Sequence, residues 1–145
     1  MDNEMTLTFL AKTENESLAR IAITSFIAPL DPLIDELAEC KTLVSEAVSN
    51  AIIHGYEGTV GYVTVHAVLT SDILTVVIHD DGRGIDNIEQ AKEPLYTTKP
   101  DLERSGMGFT IMESFADHLQ VESVVGQGTV VTFTKQFCTT PTLVT

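Results

Sequence analysis

Glu46, Asn50 and His54 recur at every fourth residue within SEAVSNAIIHGY, a spacing that puts a carboxylate, a carboxamide and an imidazole on one face of a helix. Solvated helix faces are usually built from Lys/Glu pairs. A stripe of glutamate and asparagine departs from that pattern. Three glycine-containing clusters follow. Asp80-Asp81-Gly82-Arg83-Gly84 stands directly after an alternating apolar run, Arg104-Ser105-Gly106-Met107-Gly108-Phe109 opens a helical run, and Gly126-Gln127-Gly128-Thr129 joins two alternating runs. Asp80 keeps the parity of Leu74, Val76 and Ile78, so it points to the covered side of its strand, where a carboxylate needs a partner or a ligand. The exocyclic amine of adenine is a suitable donor, and Gly82 and Gly84 let a base approach the backbone. The free N–H groups and dipole at the helix start near Gly106 and Gly108 favour an anion such as phosphate. Thr129 shares the parity of Val131 and Phe133, which turns its hydroxyl inward. Each cluster alone has an ordinary reading as a turn, a hinge or a hairpin.

The elements that must position these residues follow from periodicity. Residues 5–10 alternate and predict a strand. Leu18, Ile21, Ala22 and Phe26 recur at helical spacing over 15–27. Asp31-Pro32 reads as an N-cap with proline in the first turn. The long helix after it carries the stripe Leu33, Leu37, Cys40, Val44, Ala47, Val48 and Ala51, with Gly55 as its stop. Beyond Gly61 the period becomes two. Val63, Val65, Ala67 and Leu69 share one face, and after a turn at Ser71-Asp72 so do Leu74, Val76 and Ile78. Residues 82–106 read as a long loop, of a length that is often functional. A helix with Phe109, Ile111, Met112 and Phe115 precedes strands at 119–125 and 129–135, joined at Gly126-Gln127-Gly128. The strands come as hairpins, which predicts an α+β, two-layer sandwich: a mixed, mostly antiparallel sheet with helices on one face. A Rossmann or P-loop architecture does not fit, and no GxxxxGK[ST] occurs.

A chain of 145 residues, with 43% hydrophobic and 20% charged residues, suits one globular domain. We place it at 1–136, with 137–145 as a frayed tail. The net charge of −13 disfavours direct binding to nucleic acid or to an anionic membrane. The acidic start MDNEMTLTF is no signal peptide, no apolar run is long enough for a spanning helix, and Cys40 and Cys138 lack metal-type spacing. A reducing, cytoplasmic setting is expected. Four of the eight Lys and Arg residues, Arg83, Lys92, Lys99 and Arg104, fall in the long loop, where an acidic protein would need them to meet a polyphosphate.

In this order and in so short a chain, SEAVSNAIIHGY, HDDGRGI, PLYTTKPDLERSGMGFTIM and GQGT resemble the GHKL ATPase/kinase superfamily with its Bergerat-type fold. Within it they are similar to the serine-kinase anti-sigma factors, and ENESLARIAITSFIAPLDP is similar to their sporulation branch. The resemblance spans about residues 1–136 and implies ATP and Mg²⁺ as cofactors. It makes Glu46 the catalytic carboxylate, Asn50 the Mg²⁺ ligand, and Asp80 the adenine-reading residue, helped by Gly82, Gly84 and Thr129. Thr97, Thr98, Lys99, Ser105, Gly106, Met107 and Gly108 fall in a lid and glycine box near the phosphates. It also implies a homodimer that holds a sporulation sigma factor, sigma-F, inactive in the ATP state and phosphorylates a serine of the anti-anti-sigma factor. Arg20 corresponds to an arginine that touches both partners. At about 100° per residue, Arg20 lies away from Leu18, with Ile23 and Ile27 on its outward side. The alternatives are a kinase of the general stress response and an ATP-gated binding module without kinase activity.

Overall fold

The computed structural model describes residues 2–56, 59–85 and 108–138. The alternating runs form strands β1 (Asn3–Leu10), β2 (Tyr62–Thr70), β3 (Ile73–Asp80), β4 (His118–Val124) and β5 (Gly128–Gln136). They make one sheet in the order β1-β2-β3-β5-β4. Every neighbouring pair is antiparallel, so the expected mixed sheet is wholly antiparallel among the described residues. Helices α1 (Asn15–Ile27), α2 (Ile34–Asn50) and α3 (Gly108–Phe115) cover one face of the sheet. Their apolar stripes meet Val63, Val65, Ala67, Leu74, Val76, Ile78 and Phe133 in a single core, and this removal of apolar surface from water is the main stabilising term.

Two helices differ from expectation. In α1 the buried residues are Ala19, Ile23, Phe26 and Ile27, whereas Leu18 is exposed and Ile21 is 64% exposed. Both sets fit a helical period and share Phe26, so periodicity alone does not choose between them. Ile23 and Ile27 therefore belong to the core and do not flank Arg20 on the surface. In α2 the N-cap is Leu33, not Asp31. Asp31 adopts a left-handed conformation (φ 49°) at the end of the 3₁₀ turn Ala28–Leu30. The Leu33 N–H donates to Glu36 Oε1 at 2.9 Å, the acceptor three residues on that a helix start needs. Leu43 joins the buried stripe, and Leu33, outside the helix, is exposed. Cys40 packs as a small hydrophobe, its thiol pushed by burial up to about 12.

The layers are tied by Lys135, which is 6% exposed and points inward from β5. Its Nζ donates to Glu39 Oε2 of α2 at 2.7 Å and to the Phe115 carbonyl at the end of α3 at 3.2 Å. A buried ammonium is tolerable because both partners are in place. Packing also continues past the end of β5 at Gln136. Phe137, placed by the sequence in a frayed tail, is 1% exposed, its N–H donates to the Asp72 carbonyl at 2.9 Å, and the Cys138 N–H donates to Glu36 Oε2 at 2.6 Å. One aromatic ring ahead of Cys-Thr-Thr-Pro is too short a pattern for periodicity to register. Residues 139–145 lie outside the described residues. Replacing Phe137 by Ala should cost about 3–5 kcal/mol of stability, read from the urea midpoint. An unchanged midpoint would show that the segment frays.

Candidate nucleotide site

Helix α2 carries Glu46 and Asn50 on one side, and Gly108, the first residue of α3, comes up against both. A Cβ at position 108 would lie 2.9 Å from Asn50 Nδ2 and 3.1 Å from Glu46 Oε2. The two polar side chains thus converge on the backbone at the start of α3. Asn50 Nδ2 is buried and has no hydrogen-bond partner among the described residues. Leaving a buried donor unsatisfied costs about 1–3 kcal/mol, so this amide suits an acceptor that arrives from outside, beside helix N–H groups that favour an anion.

Beyond Asn50 the helix widens into a π turn, Ala51–Gly55. Such turns hold an extra residue and are frequent at functional sites. Gly55 lands against Asp80, where a Cβ would sit 2.8 Å from Asp80 Oδ1. Asp80 is the last residue of β3 and 4% exposed, as its parity predicted. Its Oδ1 accepts the Gly82 N–H at 2.9 Å. Burial, partly offset by the Gly82 and Thr129 N–H groups, raises its pKa above the ordinary carboxylate value. Close backbone packing surrounds it. A Cβ on Gly82 would fall 2.0 Å from the Gly55 carbonyl oxygen, and one on Gly128 2.0 Å from that of Asp80. Gly84 adopts φ 78°, a conformation open to glycine.

Thr129 pairs with Asp80 across β3 and β5 and is buried. Its Oγ1 lies 2.9 Å from Ser123 Oγ, which also accepts the Ile85 N–H at 2.7 Å. Ser123 was missed by sequence reasoning, although its inward parity with Leu119 and Val121 was the available signal. Gly55, assigned only as a helix stop, also packs on Asp80, and Tyr56 was passed over. Arg83, counted among the loop cations, is fixed to the end of the helix: its N–H donates to the Gly55 carbonyl at 2.7 Å and its Nε to that of His54 at 3.1 Å. Thr97, Thr98, Lys99, Ser105, Gly106 and Met107 lie outside the described residues. Arg20 stands apart on α1, half-exposed and 3.8 Å from Glu16. Glu16 in turn accepts a hydrogen bond from Ser45 Oγ, next to Glu46 in sequence.

Residues 9–135 match the histidine kinase-like ATPase domain family. The chain is 64% identical over 145 residues to an anti-sigma F factor of Lysinibacillus sphaericus, covering 99% of each chain. The chain belongs to the anti-sigma F factor family. Further anti-sigma F factors share 56% identity over 137 residues in Clostridium acetobutylicum (94% of this chain, 96% of the relative) and 53% over 144 residues in Geobacillus stearothermophilus (99% of each). The fold is also that of a crystal structure of the RsbU and RsbW domains of a Mycobacterium tuberculosis protein. That match has a TM-score of 0.68 at 20% identity over 93% of this chain, which spans about a third (32%) of that protein. Asp80 stands at one end of the π turn and Asn50 with Glu46 at the other, the two poles of the candidate site. No described helix is long and apolar enough to cross a membrane.

Burial of Asp80 has a stability signature. Its folded pKa is raised, so above that pKa the native state carries a desolvated charge that the unfolded state solvates. Asp80→Asn should therefore stabilise the nucleotide-free protein in urea unfolding at pH 7. The advantage should shrink as pH falls through the raised pKa toward the usual carboxylate range. A constant or inverted difference would refute the assignment.

Proposed function

We propose that this anti-sigma F factor binds ATP with Mg²⁺, holds the sporulation sigma factor sigma-F inactive in the ATP state, and phosphorylates a serine of the anti-anti-sigma factor that would otherwise release it. The observation that carries the reading is the buried Asn50 Nδ2, without a hydrogen-bond partner among the described residues, converging with Glu46 on the backbone of Gly108. Bound ATP·Mg²⁺ supplies the phosphoryl group. Asp80 would accept a hydrogen bond from the exocyclic amine of adenine, Gly82 and Gly84 would give the base access to the backbone, and Thr129 would complete that end. At the other end Asn50 would hold Mg²⁺ through its amide oxygen, and its Nδ2 would be free to donate to a phosphate oxygen. Mg²⁺ at nucleotide sites typically takes one or two protein ligands together with phosphate oxygens and water.

Glu46 takes the proton of the attacking serine hydroxyl. The transfer otherwise depends on positioning and charge neutralisation, to which the start of α3 contributes its N–H groups. Thr97, Thr98, Lys99, Ser105, Gly106 and Met107 are assigned by family resemblance to the cover over the phosphates. The protein acts as a cytoplasmic homodimer. Arg20 is assigned to the partner surface, together with the exposed Leu18 and Ile21 of α1.

With γ-labelled ATP, Mg²⁺ and the anti-anti-sigma protein, label should appear on serine. Glu46→Ala should lower the rate by about 10²–10⁴ while ATP and sigma-factor binding persist. Transfer at the wild-type rate would remove Glu46 from the chemistry, and no transfer by the wild type would leave an ATP-gated binding module. Arg20→Ala should weaken both protein partners by about 2 kcal/mol, with ATP affinity unchanged. Pull-down of both partners at wild-type strength would move the interface elsewhere.

A further inference from the structure

The β2–β3 ladder ends at the pair Val63–Asp80. One step further, Tyr62 opposes Asp81, and an ordinary ladder would join the Asp81 N–H to the Tyr62 carbonyl. Instead the hydroxyl of Tyr56 lies between them. It donates to the Tyr62 carbonyl at 2.5 Å and accepts the Asp81 N–H at 2.8 Å. An interposed oxygen holds the strands further apart than a direct rung of about 2.9 Å. The ring that delivers the hydroxyl is 7% exposed and lies against Gly61, where a Cβ would come within 2.1 Å of its Cε1. Tyr56 itself emerges directly from the π turn.

The displaced rung bears on Asp80. The peptide that joins Asp80 to Asp81 is the one held by Tyr56. From it the chain turns so that the Gly82 N–H points back to Asp80 Oδ1 and the Arg83 N–H reaches the Gly55 carbonyl. Loss of the hydroxyl would let the Asp81 N–H and the Tyr62 carbonyl close into a direct rung, rotating that peptide and the carboxylate with it. Apolar packing alone does not account for the arrangement, because the hydroxyl meets the two groups that register places opposite each other.

We propose that Tyr56 is a positioning residue for base selectivity: its hydroxyl, inserted into the end of the β2–β3 ladder, aims Asp80 at the exocyclic amine of adenine. This rests on the reading of Asp80 as the adenine acceptor and names the residue that sets its direction. Inosine triphosphate, which has a carbonyl in place of the amine, separates aim from general integrity. By calorimetry with Mg²⁺, the wild type should prefer ATP by about tenfold or more. Tyr56→Phe should weaken ATP by about fivefold or more and leave the inosine nucleotide nearly unchanged, so that the preference collapses.

Equal weakening of both nucleotides would reduce Tyr56 to a structural residue, and an unchanged preference would remove it from base reading. Both results overturn the proposal while leaving the role of Asp80 intact. A wild type without preference would overturn the adenine reading and this proposal together. If the phenylalanine variant does not fold, para-fluorophenylalanine at position 56 keeps the ring and fills the hydroxyl's place with an atom that cannot donate to the Tyr62 carbonyl, and the same comparison of nucleotides decides.

Discussion

A carboxylate at the end of a central strand, nearly closed off from water, is the constraint around which this domain is arranged. Desolvation of Asp80 works against folding, and the surroundings limit that cost without neutralising the charge. Backbone N–H groups of Gly82 and Thr129 face the carboxylate, and no arginine or lysine is paired with it among the described residues. An adjacent cation would stabilise the group more and leave it less able to accept a hydrogen bond from a ligand. Glycines at 55, 82 and 128 bring three stretches of backbone closer than any side chain would permit. The cost is offset by the apolar core directly beneath it, where Val63, Val65, Val76 and Ile78 are almost completely buried.

The second pole depends on α2. This helix supplies the central stripe of the core through Cys40, Leu43, Val44, Ala47 and Val48, and it presents Glu46 and Asn50 from its other side. A residue that reads chemistry is thus carried on an element that cannot shift without disturbing the core. The same helix leads through the π turn to the backbone around Asp80, so one continuous segment sets both poles. Lys135 fixes α3 at its far end, which leaves the start of α3 as the end that faces Asn50 and Glu46.

Much of this was legible in the sequence because it rests on parity. Alternation in β3 and β5 was enough to turn Asp80 and Thr129 inward, and the four-residue spacing was enough to align Glu46 with Asn50. What escaped depends on contacts between segments distant in sequence. Two equally periodic stripes competed on α1, and tertiary packing chose the one with Ile23 and Ile27. The Tyr56 hydroxyl, the serine behind Thr129 and the burial of Phe137 each involve a single residue meeting a strand or loop far along the chain, for which no local pattern exists. The cap of α2 failed for a different reason: Asp31-Pro32 is a sound local signal, but Glu36 supplies a competing one three residues beyond the true start.

The position of β5 has a consequence for how the chain acquires its shape. The last strand in sequence lies between β3 and β4, and the first strand pairs with partners as far away as Asn3 and Leu69. Contacts of such sequence separation are slow to form, because loop closure precedes any gain from pairing. During synthesis β1 must wait for β2. The Asp80 pole, which needs Gly128 and Thr129 beside it, cannot assemble until nearly the whole domain has left the ribosome. A half-made chain therefore holds α2 with its Glu46 and Asn50 but not the packed surroundings of Asp80, so that end of the candidate site is completed last.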